Sequence, residues 1–301
     1  MVRIKPFRGI RPPAEHAAEV ASRPYDVLNS AEAQQEATEK SLLHIIKPEI
    51  DFSPIADEHS DEVYARAVEN FRAWREKGWL VQDDTEKYYV YAQTMDGRTQ
   101  YGLVAACHFD DYLQGKIKKH ELTRPDKEED RMVHVRNQNA NIEPVFFSYP
   151  AVREMDLIIE GVVAGNEPVY DFVASDGFGH KFWVIDDPAV QRRITEIFEQ
   201  IPALYVADGH HRTAAAARVA EEKVGQEKMK QNATHTGDEE YCFFLAVIFP
   251  DNQLKIIDYN RVVKDLNGLA SSQLIAALGE HFTVEKKGRE IYTPDRLHNF
   301  A

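Results

Sequence analysis

The sequence contains 301 residues, of which 43% are hydrophobic and 29% are charged, an ordinary composition for a soluble globular protein. Its formal net charge of −14 argues against a broad nucleic-acid-binding surface, because such a surface needs concentrated Lys and Arg facing the phosphates. No apolar run reaches the length of a membrane-spanning helix, and the N-terminal residues lack the apolar stretch of a signal peptide. We therefore expect a cytoplasmic protein with neither nucleic acid nor a membrane as a partner.

The first half of the chain predicts short elements followed by a hairpin. Asp96-Gly97 lies between two runs rich in β-formers, which is a strong hairpin signal. The predicted elements are a strand-like opening at 4–13, a brief helix at 14–22, extended chain at 23–28, a helix capped by Ser30 and reaching about Lys40, an amphipathic helix from Ser60 or Asp61 to Gly78, and hairpin strands at 87–94 and 99–109.

The second half mixes helices, strands and one more hairpin. The predicted elements are a strand at 144–149, a helix at 153–163, a hairpin of 169–174 with 179–185, a helix at 187–200, a polar exposed stretch at 221–240, core strands at 241–249 and 254–259, a helix at 271–281 and a strand at 282–286. This mixture predicts an α+β or mixed α/β fold rather than a regularly wound parallel sheet. We expect a core over 1–262 with hairpin and helix insertions, and a C-terminal α+β segment that begins at 263–301 and is truncated.

The most informative stretch is Asp208-Gly209-His210-His211-Arg212-Thr213, which follows the apolar run 203–207 and precedes the alanines 214–217. This is the layout of a strand, a tight loop and a helix N-terminus. Free N–H groups at a helix start, a glycine and an Arg with neighbouring imidazoles are suited to bind phosphate. The plainer alternative is an ordinary turn, in which Asp208 or Thr213 caps the helix and the histidines are solvated.

A second cluster runs from Lys118 to Arg131 and continues to His134 and Arg136. Its basic side chains could neutralise a polyphosphate, while Glu121 could accept a proton or hold a metal. Composition alone favours a solvated helix with opposite charges at helical spacing. A third cluster, Arg11 with Arg23-Pro24-Tyr25-Asp26, is equally consistent with a pocket wall and with an ordinary turn.

Other catalytic and metal-binding patterns are absent from the sequence. It lacks the P-loop, Rossmann, zincin and serine-hydrolase motifs, and no His/Cys set has the spacing of a structural zinc site. His44, His59 and His108 are isolated and are interpreted as structural. The two cysteines, Cys107 and Cys242, lie in apolar, strand-like surroundings that predict buried, inert thiols.

Four motifs in this order resemble the bacterial and archaeal family catalogued as domain of unknown function 1015, and the resemblance covers essentially the whole chain. They are Lys5-Pro-Phe-Arg-Gly-Ile-Arg-Pro12, Pro24-Tyr-Asp-Val27, Lys119-His-Glu121 with Glu129-Asp-Arg131, and Asp208-Gly-His-His-Arg212. Relatives usually continue beyond Phe300, and many carry His-Arg where this chain has Asn260-Arg261.

That family looks like a member of the ParB/sulfiredoxin superfamily, so the resemblance implies a ParB/sulfiredoxin-like core. The Asp-Gly-His-His-Arg form of the loop is similar to that of free-serine kinases in the superfamily. Sulfiredoxin chemistry is not expected, because His210 stands where the reactive Cys would be. ParB-type DNA clamping is not expected either, given the acidic chain.

The resemblance therefore implies a nucleotide-dependent kinase that phosphorylates a small-molecule hydroxyl, with serine as the first substrate to consider. The implied ligands are ATP or ADP as phosphate donor, Mg²⁺ and a hydroxyl-bearing metabolite, and an oligomer is left open. Asp208 is expected to bind the metal or act as base, with Glu121 as the rival base and His210 as a further catalytic group. The expected phosphate and nucleotide contacts are Gly209, His210, His211, Arg212, Thr213, Lys119, His120, Arg124, Arg131, Tyr25 and Asp26. The alternatives are a phosphatase acting on phosphoserine or a similar monoester, and a nucleotide-binding regulatory module without turnover.

Overall fold

The computed structural model describes residues 1–230, 235–255, 264–286 and 288. The chain divides into two compact units, Met1–Leu254 and Lys255–Ala301. In the second unit, helix α10 spans Ser271–Gly279, which confirms the predicted helix. Residues 282–286 lie in exposed, irregular chain rather than in the predicted strand, so that prediction was wrong. Asn260 and the predicted strand residues 256–259 lie outside the described part of the chain.

The first unit alternates short helices, strands and 3₁₀ turns. Its strands are β1 Ile4–Lys5, β2 Ile10–Arg11, β3 Val81–Gln82, β4 Tyr88–Met95, β5 Arg98–His108, β6 Ile117–Lys118, β7 Val145–Tyr149, β8 Tyr170–Val173, β9 Gly179–Ile185, β10 Leu204–Asp208 and β11 Phe243–Pro250. Its helices are α1 Ala17–Val20, α2 Ser30–Glu36, α3 Leu43–Ile46, α4 Asp61–Glu76, α5 Phe109–Leu113, α6 Pro125–Gln138, α7 Arg153–Gly165, α8 Pro188–Phe198 and α9 His210–Lys228. The 3₁₀ turns are Ala14–His16, Pro48–Asp51, Glu240–Cys242 and Asp251–Gln253.

Within the described residues, nine strands form one mixed sheet in the order β6-β10-β7-β11-β5-β4-β9-β8, with β1 paired to β5. The β6–β10 and β7–β11 pairs are parallel, whereas the other pairs are antiparallel. Parallel and antiparallel pairs in one sheet, with helices between them, confirm the predicted mixed α/β class. None of the helices in the described parts of the chain is both long and apolar enough to cross a membrane.

The predicted β4–β5 hairpin is confirmed, and its turn explains why. Asp96 and Gly97 have φ of 51° and 75°, the left-handed conformation at both central positions that a tight hairpin turn requires. Glycine adopts this conformation without steric cost, and Asp tolerates it better than most residues. Met95 then pairs with Arg98 and the ladder continues to Tyr89 and Val104.

Helix α2 begins differently from the prediction. Asn29, not Ser30, is its N-cap: the Asn29 side chain accepts the Glu32 N–H at 2.9 Å, and the Glu32 carboxylate accepts the Asn29 N–H at 2.9 Å. This reciprocal capping box satisfies two backbone donors, so it outcompetes a serine cap one residue later. The helix ends at Glu36 rather than near Lys40.

Helix α6 is not the solvated helix that its composition favoured. It buries Glu128, Asp130, Met132 and His134, because it packs against α9 on one side and α4 on the other. The Tyr64 hydroxyl of α4 donates to Asp130 at 2.9 Å. Buried carboxylates are tolerated here because each has a hydrogen-bond or ionic partner.

Helix α9 packs closely under the sheet through its small side chains. The alanines 214–217 are all buried, and three of them belong to the main apolar cluster that also contains β7, β11, α7 and α8. Small side chains let a helix approach a sheet without gaps. The packing of α9 therefore fixes the position of its N-terminus at the end of β10.

Candidate functional site

The site begins where β10 ends. The chain leaves Asp208, turns at Gly209 and enters α9 at His210. Gly209 has φ of +85°, and a Cβ atom there would lie 3.3 Å from the Nε atom of Arg212. Because L residues rarely adopt this conformation and the space is already filled, the turn requires glycine.

Among the residues that the structure describes, no side chain caps the N-terminus of α9. Asp208 does not cap the helix but accepts a hydrogen bond from the Arg212 side chain. The buried Thr213 hydroxyl donates to the Gly209 carbonyl at 2.9 Å. The Thr213 N–H makes the first turn-closing bond of the helix, also to the Gly209 carbonyl. The first-turn N–H groups that precede it have no intrahelical partner, so the loop offers donors and the positive end of a 19-residue helix to an anion.

His210 is the buried titratable group of this loop. Its side chain is 6% exposed, and its Nε2 atom has no hydrogen-bond partner among the described residues. Its Nδ1 atom lies 3.6 Å from Oε2 of Glu121, and its ring is nearly perpendicular to that of His120 at 4.5 Å between centroids. Burial, and then the neighbouring His120, lower the pKa of His210, so the neutral imidazole is favoured.

The segment before α6 is attached to α9 by a histidine. The Nε2 atom of His211 accepts the backbone N–H of Arg124 at 3.1 Å. This contact, together with those of His210 to Glu121 and His120, places the charged segment beside the start of α9. The Arg124 side chain is 68% exposed and pairs with Asp126.

Lys119 contacts Tyr112 of α5. Its ammonium group lies 4.7 Å from the ring centroid of Tyr112 and 3.5 Å from that hydroxyl. Lys119 is nonetheless exposed, so its charge remains available to solvent on this side of the molecule.

Arg212 is held by the protein itself. It donates to the Pro144 carbonyl at 3.1 Å and to Oδ2 of Asp208 at 2.8 Å, and it lies 3.7 Å from Oε1 of Glu143. Its side chain is 11% exposed, and its buried Nε has no partner in the described structure. In this arrangement the guanidinium joins β10, the start of β7 and α9.

Glu143 connects Arg212 to a second arginine, and sequence reasoning missed it. Its carboxylate is 11% exposed, accepts the Tyr25 N–H at 3.3 Å and lies 3.9 Å from Arg131. Burial raises the pKa of Glu143 even though Arg212 and Arg131 both favour its ionised form. The signal that the sequence offered for Glu143 was its position directly before Pro144 and a buried strand. Many ordinary turns have the same pattern, so it does not by itself indicate a site residue.

Arg131 and Tyr25, both expected at the site, meet behind this carboxylate. The guanidinium carbon of Arg131 lies 3.9 Å from the Tyr25 ring centroid, and its Nε donates to Asp130 at 2.8 Å. Burial raises the pKa of Tyr25 to about 12, so its hydroxyl stays protonated. Asp26 is exposed beside them. The structure therefore separates the site residues into two groups. The outer group comprises His210, His211, Glu121, His120, Lys119 and Arg124. The inner ionic group comprises Glu143, Arg131, Arg212, Asp130 and Tyr25.

The opening motif of the sequence has a structural explanation. Arg11 forms two hydrogen bonds to Asp83, at 2.9 and 2.8 Å, and a third to the Tyr170 hydroxyl. Gly9 donates to the Tyr89 hydroxyl, where a Cβ atom would approach that oxygen to 2.6 Å. Residues of this motif also line a largely apolar cleft of about 470 Å³ that extends to Ala216 of α9.

Asp208 is the residue of the loop best suited to a metal ion. Its side chain is 64% exposed, and Arg212 occupies one of its oxygens. Mg²⁺ is commonly held by one or two carboxylates together with phosphate oxygens and waters. The exposed carboxylate beside the helix N-terminus fits this pattern.

Comparison with known proteins gives a family and no activity. A family model described as a protein of unknown function (DUF1015) matches residues 4–301. No curated protein and no solved structure matches the chain. Because the match extends over nearly the whole sequence, the chain belongs to the DUF1015 family.

Proposed function

We propose that this protein binds the phosphates of ATP or ADP at the start of α9 and transfers a phosphoryl group to the hydroxyl of a small molecule, with serine as the first candidate. The observation that carries the proposal is the uncapped N-terminus of a long helix with a buried histidine in its first turn. The Nε2 atom of that histidine, His210, has no partner among the described residues. A buried polar atom without a partner is costly unless a ligand satisfies it.

Phosphate binding would use the backbone and the outer group of side chains. The first-turn N–H groups donate to phosphate oxygens, and the helix dipole favours their negative charge. Arg124 and Lys119 are exposed cations on the same segment as Glu121. We assign Arg212 and Arg131 to positioning, because their guanidinium groups already bind protein oxygens and are 11% exposed.

The reaction would need a base for the acceptor hydroxyl. Neutral His210 can accept that proton at Nε2, provided that Nδ1 carries the other proton and faces Glu121. The acceptor oxygen forms a bond to the transferring phosphorus as the bond from phosphorus to the leaving nucleotide oxygen breaks. The leaving nucleotide retains the electron pair of that bond. Mg²⁺ held by Asp208 would neutralise charge on the phosphate oxygens.

The first experiment supplies Mg²⁺ and ATP or ADP with serine, and detects O-phosphoserine by mass spectrometry. We expect product with wild-type protein and with the control His16→Gln, at a histidine that is 26% exposed and outside the loop, but not with His210→Gln. Nucleotide binding without product contradicts the kinase proposal and favours a sensor module. Release of phosphate from phosphoserine without nucleotide also contradicts it and favours the phosphatase alternative.

A further inference from the structure

A second cluster of chemically active side chains lies just before β11, and none of its three members belongs to the site at the start of α9. His235, Glu239 and Cys242 place one ligand atom each within 4.8 Å of one another. The Nδ1 atom of His235 is 3.0 Å from Oε2 of Glu239, and Sγ of Cys242 is 3.7 Å from the same oxygen. Imidazole, carboxylate and thiolate are the three side-chain types that bind zinc in proteins.

We propose that His235, Glu239 and Cys242 bind a zinc ion, with a water molecule as the fourth ligand. Zinc bonds of about 2.0–2.3 Å in a tetrahedron place neighbouring ligand atoms roughly 3.3–3.7 Å apart. The two separations that share the Glu239 oxygen are 3.0 and 3.7 Å, and the third is within 4.8 Å, so side-chain movements of up to roughly 1 Å would bring the three atoms to these spacings. Three protein ligands of mixed type with one open position are typical of a zinc site that can also act on a bound molecule.

The three ligands are held in place by contacts outside the cluster. The Glu239 carboxylate accepts the backbone N–H of Thr236 at 2.7 Å and that of Gly237 at 2.9 Å, which fixes its orientation. These bonds, the Thr236 bond first, lower the pKa of Glu239 to about 2, so it is an ionised carboxylate. A carboxylate oxygen that accepts one N–H retains a lone pair for a metal.

The loop between the ligands is also fixed to the sheet. The Lys5 ammonium donates to the Asp238 carbonyl at 3.1 Å, and the Nε2 atom of His108 lies 3.0 Å from the Gly237 carbonyl. The His235 and Tyr241 rings are 6.0 Å apart with planes 19° apart, and His235 Nδ1 lies 3.0 Å from the Tyr241 hydroxyl, a contact that zinc would replace. A preorganised set of ligands loses less entropy on binding than a loose one.

The buried Cys242 supplies the ligand that distinguishes zinc from harder cations. Its side chain is fully buried, and burial raises the pKa of the thiol to about 11 when no metal is bound. The thiol proton points to Glu239, and zinc would replace that proton as the thiol becomes a thiolate. Thiolate ligands select zinc over Mg²⁺ and Ca²⁺. Sequence reasoning missed the set because His-x₃-Glu-x₂-Cys is not a recognised zinc spacing.

The test uses the full chain and replaces its only two cysteines one at a time, with Cys107 as the control for Cys242. Zinc affinity is measured by competition with a chromophoric chelator, and Co²⁺ is added separately to look for thiolate-to-cobalt charge-transfer absorption. We expect one metal per chain, the absorption band in wild type and in Cys107→Ala, and no band in Cys242→Ala. The affinity of Cys242→Ala should fall by at least about 100-fold, since even loss of an outer partner costs 10–100-fold.

A second variant covers the case in which Cys242→Ala fails to fold. His235→Phe retains a ring to stack on Tyr241 but removes the ligand nitrogen, and it should lose zinc affinity to a similar extent. No stoichiometric binding to folded wild type, or equal affinity in wild type and both ligand variants, would overturn the proposal. Neither result depends on nucleotide, so failure here is distinct from failure of the proposed kinase activity.

Discussion

The Nδ1 atom of His210 lies 3.6 Å from Oε2 of Glu121, and this contact joins the first turn of α9 to the charged segment before α6. The two residues occupy motifs that are far apart in the sequence, and each was singled out for a different reason. Nε2 of His210 is buried and has no hydrogen-bond partner in the described structure, as the proposed role of general base requires.

Replacement of His210 by Gln should reduce phosphoryl transfer by about 10²–10⁴-fold, the usual contribution of a positioned acid or base. Burial lowers the pKa of His210, so the neutral base persists to pH values below the ordinary range of histidine. We therefore expect the wild-type rate to remain constant through that range and to fall at lower pH as the imidazole becomes protonated. pH–rate profiles of the wild type and of His210→Gln test both the loss of rate and its pH dependence. A wild-type rate that rises on acidification would contradict the assignment of His210 as the base.

Gly209→Ala should lower the free energy of unfolding by about 1–2 kcal/mol, because alanine is strained at a positive φ. The matched control is Gly225→Ala in the same helix, where a Cβ atom would meet no described atom within 4 Å. That variant should be neutral or gain up to about 1 kcal/mol from helix propensity. Urea unfolding of both proteins provides the comparison, and equal effects would remove the special role of the turn.

Glu143→Gln should destabilise the fold by about 3–5 kcal/mol, since it removes the carboxylate that faces two buried guanidinium groups. Glu129→Gln is the control, because that carboxylate of α6 is 60% exposed and pairs with Arg136 at the surface. It should change stability by no more than about 1 kcal/mol. Thermal unfolding at neutral pH tests the pair, and a Glu143 variant as stable as the control would show that the inner ionic group is dispensable.

Acid should destabilise the fold partly through His134. Burial, and then the Arg131 charge, lower the pKa of His134 from 6.5 to about 3. The unfolded chain takes up this proton as the pH falls below 6.5 while the folded chain does not, so stability is lost from there down to the folded pKa. Between pH 6.5 and 4.5 the loss attributable to His134 is about 2–3 kcal/mol.

The variant His134→Phe retains an aromatic ring beside Tyr64 and removes the titration. Its unfolding free energy should therefore vary less with pH over this interval than that of wild type or of His16→Gln. Parallel pH dependences in all three proteins would show that His134 does not remain neutral on folding.

The β10–Gly209–α9 unit and the β4–β5 hairpin were predictable because their signals are local. β-Formers followed by glycine and alanines predict strand, turn and helix, and Asp96-Gly97 fits one type of tight turn. Such patterns depend on residues that are neighbours in sequence. The mixed α/β class was predictable as well, because it follows from the order in which these locally encoded helices and strands occur along the chain.

The inner ionic group could not be predicted, because its partners come from distant segments. Glu143 becomes significant only when Arg131 and Arg212 pack against it, and Asp130 is buried beside Tyr64 of α4, which donates to it. The alternating charges of α6 give the periodicity of a surface helix. Burial of charge by specific pairing leaves no mark on hydrophobic periodicity, so the solvated-helix interpretation failed there.

The most direct test of the central claim is isothermal titration calorimetry of ATP, ADP and CTP with Mg²⁺ against wild type, Gly209→Ala and Gly225→Ala. We expect one nucleotide site per chain in wild type and in Gly225→Ala, and an affinity at least tenfold weaker in Gly209→Ala, equivalent to about 1.4 kcal/mol. Absence of nucleotide binding to the folded wild type, or equal binding to all three proteins, would contradict a phosphate site at the start of α9.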